Sequence, residues 1–246
     1  MRIRSTGFLA IAALLLPMAQ AQTLVFTPVG SAPPSAFAQT VFSGSLGLFF
    51  TTNQDVWVTS VGYWDIGLDG IQGANTVAVA IFQVTGTGTG SIVQGTEKTF
   101  NSVTGGPSTG TLTGGELTAP GSTAGEFRVY NLADPVELSA GTNFAVVAWY
   151  YGPLDADANG GGSALTSFNS LGGALTFTGS AYGNNNDGGT VPENGFSPNG
   201  LYLAGTFAAS VIPEPSDCAA ILGAVVLGMA AVRGMRRRQG PSVAAV

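Results

Sequence analysis

Apolar positions in this chain come in short bursts separated by glycine, asparagine and proline. The plainest bursts are Asp55 to Trp64, Thr76 to Val84 and Asn143 to Tyr151, all rich in β-branched and aromatic residues. A run of that kind bounded by turn residues predicts a strand. Weaker runs of the same type lie at Leu46 to Thr52, Ser91 to Val103, Glu126 to Leu132, Pro135 to Leu138, Leu175 to Thr178 and Gly200 to Ala208. Between them no stretch repeats apolar residues at the spacing of a helix face. About eight to ten strands joined by turns predict an all-β fold, a single β-sandwich of jelly-roll type. Within Asp55 to Trp64, alternation puts Val56 and Val58 on one side and Trp57, Val61 and Tyr63 on the other. Both sides are apolar, so the pattern does not select the inward face.

Two further apolar runs stand at the ends and read as addresses. Arg2 and Arg4 precede Phe8 to Leu16, and Pro17 and the small-residue pattern Ala19, Gln20, Ala21 follow. A basic start, a short apolar middle and an A-x-A stop make a secretory signal peptide. Residues 1–21 are therefore expected to direct export through the Sec machinery and to be removed after Ala21. The second run, Cys218 to Val232, holds 15 uncharged residues. As a helix it measures about 22 Å, short for a hydrocarbon core of about 30 Å. Arginines that follow can reach toward the headgroups and hold the last residues in the cytoplasm. The expected organisation is a signal peptide over 1–21, an extracellular domain over 22–211, a membrane-directed segment over 212–239 and a cytoplasmic tail over 240–246.

Pro213, Glu214 and Pro215, then the apolar run, then Arg233, Arg236, Arg237 and Arg238 together resemble the PEP-CTERM sorting signal of Gram-negative bacteria. The match covers residues 212–239; Ile212 stands where the family has valine, and Gly234 and Met235 interrupt the basic cluster. The resemblance implies an exosortase as partner, a membrane-embedded cysteine protease or transpeptidase that processes the tail and passes the ectodomain to the cell surface or matrix. Physically, the prolines keep the motif extended and out of the following helix. The apolar run parks the substrate in the membrane, and the arginines fix its direction. The order Leu48 to Thr51, Val56 to Asp65, Val77 to Phe82 and Pro135 to Phe144 is also similar to a small extracellular β-domain found in many proteins with this tail. That likeness implies a sandwich and no known chemistry.

Composition narrows the function. Charged residues are 9% of the chain, against about 25% in an ordinary globular protein. Between residues 23 and 213 only Lys98 and Arg128 are basic, against twelve carboxylates, a balance of −10. So acidic a domain is not suited to a phosphate backbone, and no nucleic acid is expected as partner. Histidine is absent and Cys218 is the only cysteine. Intrachain disulfides, Cys/His zinc sites and every triad with a histidine base are thereby excluded. The glycine-rich loops Thr85 to Gly90, Gly105 to Gly115 and Gly183 to Gly189 carry no following lysine, so they are read as turns and not as phosphate cradles.

Three groups of residues remain as site candidates. Asp155, Asp157 and Asn159, ahead of Gly160, reproduce the first half of a calcium loop, but Thr166 stands where a bidentate glutamate belongs. An ordinary loop is the favoured reading, with calcium as the alternative. Asp65 and Asp69 form a carboxylate pair of the sort that glycosidases use; an exposed acidic turn is the expectation, and no enzyme activity or cofactor is assigned. Trp64, Trp149 and Tyr151 have rings able to stack on sugars, although strand aromatics serve the core in most proteins. Taken together, the sequence suggests an exported surface or matrix protein with a structural or adhesive role in a biofilm or exopolysaccharide matrix. A carbohydrate-binding module, with or without calcium, is the alternative.

Overall fold

The structure is a computed structural model that describes residues 23–28, 38–39, 44–67, 69–72, 75–102, 125–151, 157–159, 165–184, 190–200, 202–213 and 227–229. The chain divides into two compact units, Met1–Ser210 and Val211–Val246. In the second unit the described part beyond residue 213 is a helical stretch, residues 227–229, with Leu227 and Met229 exposed. The signal-peptide residues, Glu214 and Pro215, Arg233 and Arg236 to Arg238 lie outside the described residues. No helix among the described residues is long and apolar enough to cross a membrane.

The first unit is built from antiparallel strands. A four-stranded sheet sets β1 (Thr23–Leu24) beside β16 (Gly205–Val211), then β5 (Val56–Ile66), then β9 (Gly125–Leu138). A seven-stranded sheet runs β14 (Asn194–Ser197), β13 (Leu175–Gly183), β4 (Ser45–Thr52), β10 (Asn143–Trp149), β6 (Thr76–Gly86) and β7 (Thr89–Ile92), with β8 (Lys98–Asn101) also paired to β6. Two small ladders accompany them among the described residues: β15 (Tyr202–Leu203) with β11 (Asp157–Asn159) and β3 (Ala38–Gln39), and β12 (Thr166–Phe168) with β2 (Phe26–Pro28). The outer pairings nest: β1 with β16, and β4 with β13. The inner ones do not, since β5 joins β9 and β6 joins β10. A nested arrangement would pair β5 with β10 and β6 with β9.

The two larger sheets pack face to face, and phenylalanine fills the space between them. Phe207 of β16 stacks on Phe50 of β4 with ring centroids 5.0 Å apart, and Phe50 stacks on Phe144 of β10 at 5.8 Å. Phe26 of β2 meets Phe50, Phe207, Phe168 and Phe177 edge-on or tilted, at 5.4 to 6.2 Å. Each such pair adds about 0.5–1.5 kcal/mol to the burial of its area. Farther along, Gly205 lets β16 approach Val146, Ala148 and Val79; a Cβ there would already touch all three. Tyr63 of β5 meets Phe100 of β8 at 4.8 Å, closing that side of the core.

Both sheets are also apolar on their outer faces, which explains the undecided alternation in β5. Val56, Val58, Val61 and Tyr63 are all buried, while Trp57 is 36% exposed. The β5–β9 ladder slips between Val58 and Ser60, where residues Leu132 to Pro135 of β9 stand opposite Thr59 alone. Beyond the slip, Trp64 turns away from Tyr63 and joins Leu24, Phe127, Val129, Leu165, Leu203 and Ala208 in a second core. On the seven-stranded sheet, Ala78, Ala80, Phe82, Ala145, Val147 and Trp149 form a third core with Val191. The near-continuous apolar run of β6 is therefore a strand with two covered faces, Val77, Val79 and Ile81 inward and the Ala78 set outward.

The expected strand from Ser91 to Val103 is interrupted, and a single hydroxyl bridges the interruption. Thr96, fully buried between β7 and β8, accepts from the Ile81 amide at 3.1 Å and donates to the Val93 carbonyl at 2.8 Å. It stands in for the ladder contact that the broken strand cannot make with β6. Thr96→Val keeps the shape and strands the Ile81 N–H in the interior, which costs about 1–3 kcal/mol. Chemical denaturation should show that loss as a lower midpoint, with Thr96→Ser retaining most of wild-type stability.

Candidate functional site

Two polar places stand out in the first unit, one buried and one open. The buried one begins at the end of β5, where Asp65 faces Glu126 across the ladder to β9 and Arg128 faces Tyr63. Alternation puts these side chains on one face of the sheet. Arg128 Nε donates to Asp65 Oδ2 at 2.8 Å, and Arg128 Nη1 lies 2.9 Å from Glu126 Oε1. The Gly70 amide donates to the same Asp65 oxygen at 3.1 Å, so the turn after β5 folds back over the carboxylate. Gly67 and Gly70 both have positive φ, 95° and 75°, which this tight return requires.

Asp65 is 3% exposed and Arg128 4%. Burial pushes the Asp65 carboxyl above its ordinary 3.8; the hydrogen bonds from Arg128 and Gly70 oppose this but do not cancel it. The expected exposed acidic turn is thus corrected. Its first carboxylate is enclosed and committed to a guanidinium, because β9 supplies an arginine at the matching register. Asp69 is left at the outer side of the turn, where Gln72 Nε2 donates to its carbonyl at 2.6 Å.

The aromatic candidates are corrected in the same way. Trp64 is 1% exposed and Trp149 and Tyr151 are 2% exposed, so none offers a ring face to a glycan. Trp64 packs against Phe127 at 5.1 Å, and Gly125 is bare where any side chain would run into the indole. The Tyr151 hydroxyl accepts from the Trp64 amide at 3.0 Å and donates to the Ala204 carbonyl at 2.7 Å, pinning β5 to the residue just before β16. Trp149 lies in the outer core, edge-on to Phe82 at 6.1 Å. Among the described residues the exposed rings are instead Trp57, Tyr130, Tyr150 and Phe196.

Of the calcium candidates, Asp155 lies outside the described residues. Asp157 and Asn159 belong to β11, where Asp157 pairs with Gln39 and Asn159 with Tyr202. The backbone there is extended between two neighbours, so residues 157–159 form a short strand within the stretch expected to be a loop. Among the described residues, no group of three or more acidic, histidine or cysteine side chains is placed to hold a metal ion.

The open place is a cleft of about 290 Å3 lined by Gly88, Gly183, Asn184, Thr190, Val191, Glu193 and Asn194. It joins the β6–β7 turn to the end of β13, which stand three strand spacings apart in the sheet, or about 14 Å. The segment from Thr190 to Glu193 crosses the outer face to bridge them. Val191 packs into the outer core, Pro192 reaches the bare backbone of Gly47, and Glu193 lies over Gly88. Gly88 has φ 66°, and a side chain there would collide with the Glu193 carboxylate. Thr85 to Gly90 and Gly183 to Gly189 read as separate turns in the sequence, and only the sheet order brings their flanks together.

No protein-family model matches the chain, and no curated protein matches it.

Two outcomes test these assignments. Trp64→Ala should lower unfolding free energy by about 3–5 kcal/mol, as loss of a buried large ring does, and calorimetry should register it as a lower melting temperature. Asp65 binds its proton more tightly folded than unfolded, so its contribution to stability is complete below 3.8 and declines as pH rises through its elevated value. The stability difference between wild type and Asp65→Asn should therefore shift against the wild type as pH is raised from 3.8 upward, read from denaturation curves at successive pH values.

Proposed function

We propose that the chain is an exported protein of a Gram-negative cell surface or extracellular matrix, delivered by an exosortase that reads its tail, with a structural or adhesive role. The observation that carries this reading is the order of parts at the C-terminal end: Pro213, Glu214 and Pro215, an apolar run, then Arg233 and Arg236 to Arg238. It is supported by where the last strand stops. β16 ends at Val211, and Pro213 is exposed, so the proline-framed motif begins just past the last ladder residue. Proline and the residue before it avoid helical geometry, which suits an enzyme that takes its substrate extended.

The all-β first unit suits the role. It is a sandwich of a jelly-roll variant, low in charge, whose longest edge strand carries its own guards. β9 has the exposed residues Asp134, Pro135 and Glu137 along its length, and charge and proline at an edge discourage pairing with another chain. Such a domain can be crowded into a matrix without its sheets fusing.

The proposal is tested in the protein's own host by intact mass and by fractionation, beside a strain in which Pro213, Glu214 and Pro215 are all changed to alanine. The wild-type protein should lack its tail and leave the inner membrane, while the variant should keep the tail and stay there. An intact tail in both strains overturns exosortase processing.

A further inference from the structure

The cleft between the β6–β7 turn and the facing ends of β13 and β14 has, among the described residues, a lining that selects its ligand. Asn184 and Asn194 offer amides that both donate and accept, Thr190 a hydroxyl, and Glu193 a carboxylate, while Gly88 and Gly183 leave bare backbone. None of these groups is cationic, and Glu193 is the one carboxylate among the described lining residues, too few for a calcium site. The wider surface agrees. Lys98 and Arg128 are the only cations between residues 23 and 213, and both are engaged. Lys98 Nζ lies 3.6 Å above the Tyr130 ring, and Arg128 is enclosed between Asp65 and Glu126. An anionic ligand would meet a carboxylate, a field of negative charge and no counterion.

A ligand dense in hydroxyls and without charge meets the opposite situation, since each amide and hydroxyl of the lining can pair with one. We propose that this cleft binds an uncharged sugar residue of a polysaccharide, and that the protein discriminates against uronate and sulfate polymers. The volume of about 290 Å3 lies at the lower edge of ligand sites, about 300–1,000 Å3, which suits one ring. Asn184, Thr190 and Glu193 are exposed, so a sugar ring reaches them from solvent. Glu193 lies over Gly88, and the bare glycine leaves its carboxylate room to accept from a ligand hydroxyl.

This inference rests on the adhesive reading above and gives it a ligand class. Its test uses the full chain purified in non-ionic detergent, run by affinity electrophoresis through gels containing dextran, galactomannan or polygalacturonate. Retention is expected from at least one neutral polymer and not from polygalacturonate. The double variant Asn184→Ala, Asn194→Ala should bind at least about tenfold more weakly, as loss of two hydrogen bonds implies, at an unchanged melting temperature. Thr190→Ala, at an exposed position, gives the same reading if the double variant is unstable. Absence of retention by both neutral polymers, retention by polygalacturonate that equals or exceeds theirs, or undiminished binding by the variants overturns the proposal. Because the full chain is produced in a host without an exosortase and keeps its tail, failure here speaks against the cleft alone, whereas tail processing is judged by mass and location in the protein's own host.

Discussion

The contact between Phe207 and Phe50 joins the last strand of the first unit to the middle of the opposite sheet, and the fold depends on it. Phe50 sits on β4, which carries β13 on one side and β10 on the other, and Phe207 sits on β16, between β1 and β5. Around this pair Phe26, Phe144, Phe168 and Phe177 tie in the small β2–β12 ladder as well. A chain with 9% charged residues and no disulfide has few other long-range restraints. Its stability must come from apolar burial on both sides of each sheet.

That double burial marks the limit of what alternation in the sequence reveals. The strands at Leu46 to Thr52, Thr76 to Val84 and Asn143 to Tyr151 are legible because β-branched and aromatic residues cluster between turn formers. Their facing is not, since Val77 and Ala78 are equally apolar and both are buried. The short strands β3, β11 and β15 are illegible for another reason. Two or three residues carry no period, and they are extended only because neighbours distant in the chain supply hydrogen-bond partners. Asp157 and Asn159 illustrate this, since their residue types favour a turn and a ladder holds them straight.

The site candidates divide on similar physics. Carboxylates and aromatic rings are visible in a sequence, and whether they face water is not. Asp65 is enclosed because Arg128 arrives at the right register on a strand some sixty residues away, and Trp64 is enclosed because Gly125 clears room for its ring. The cleft lining shows the converse. Asn184, Thr190, Glu193 and Asn194 are unremarkable singly, and they converge only because a segment anchored by Val191 crosses the sheet.

The pairing of β1 with β16 has a consequence for when the domain can form. Thr23 lies opposite Ala209 and Leu24 opposite Ala208, so this ladder closes only when almost the whole unit has been delivered. Contacts of such sequence separation are slow to close. In a chain emerging N-terminus first, the seat of Phe207 against Phe50 is filled only when the final strand arrives. The architecture thereby keeps an incomplete chain from locking, and it ties closure of the sheet to completion of the chain.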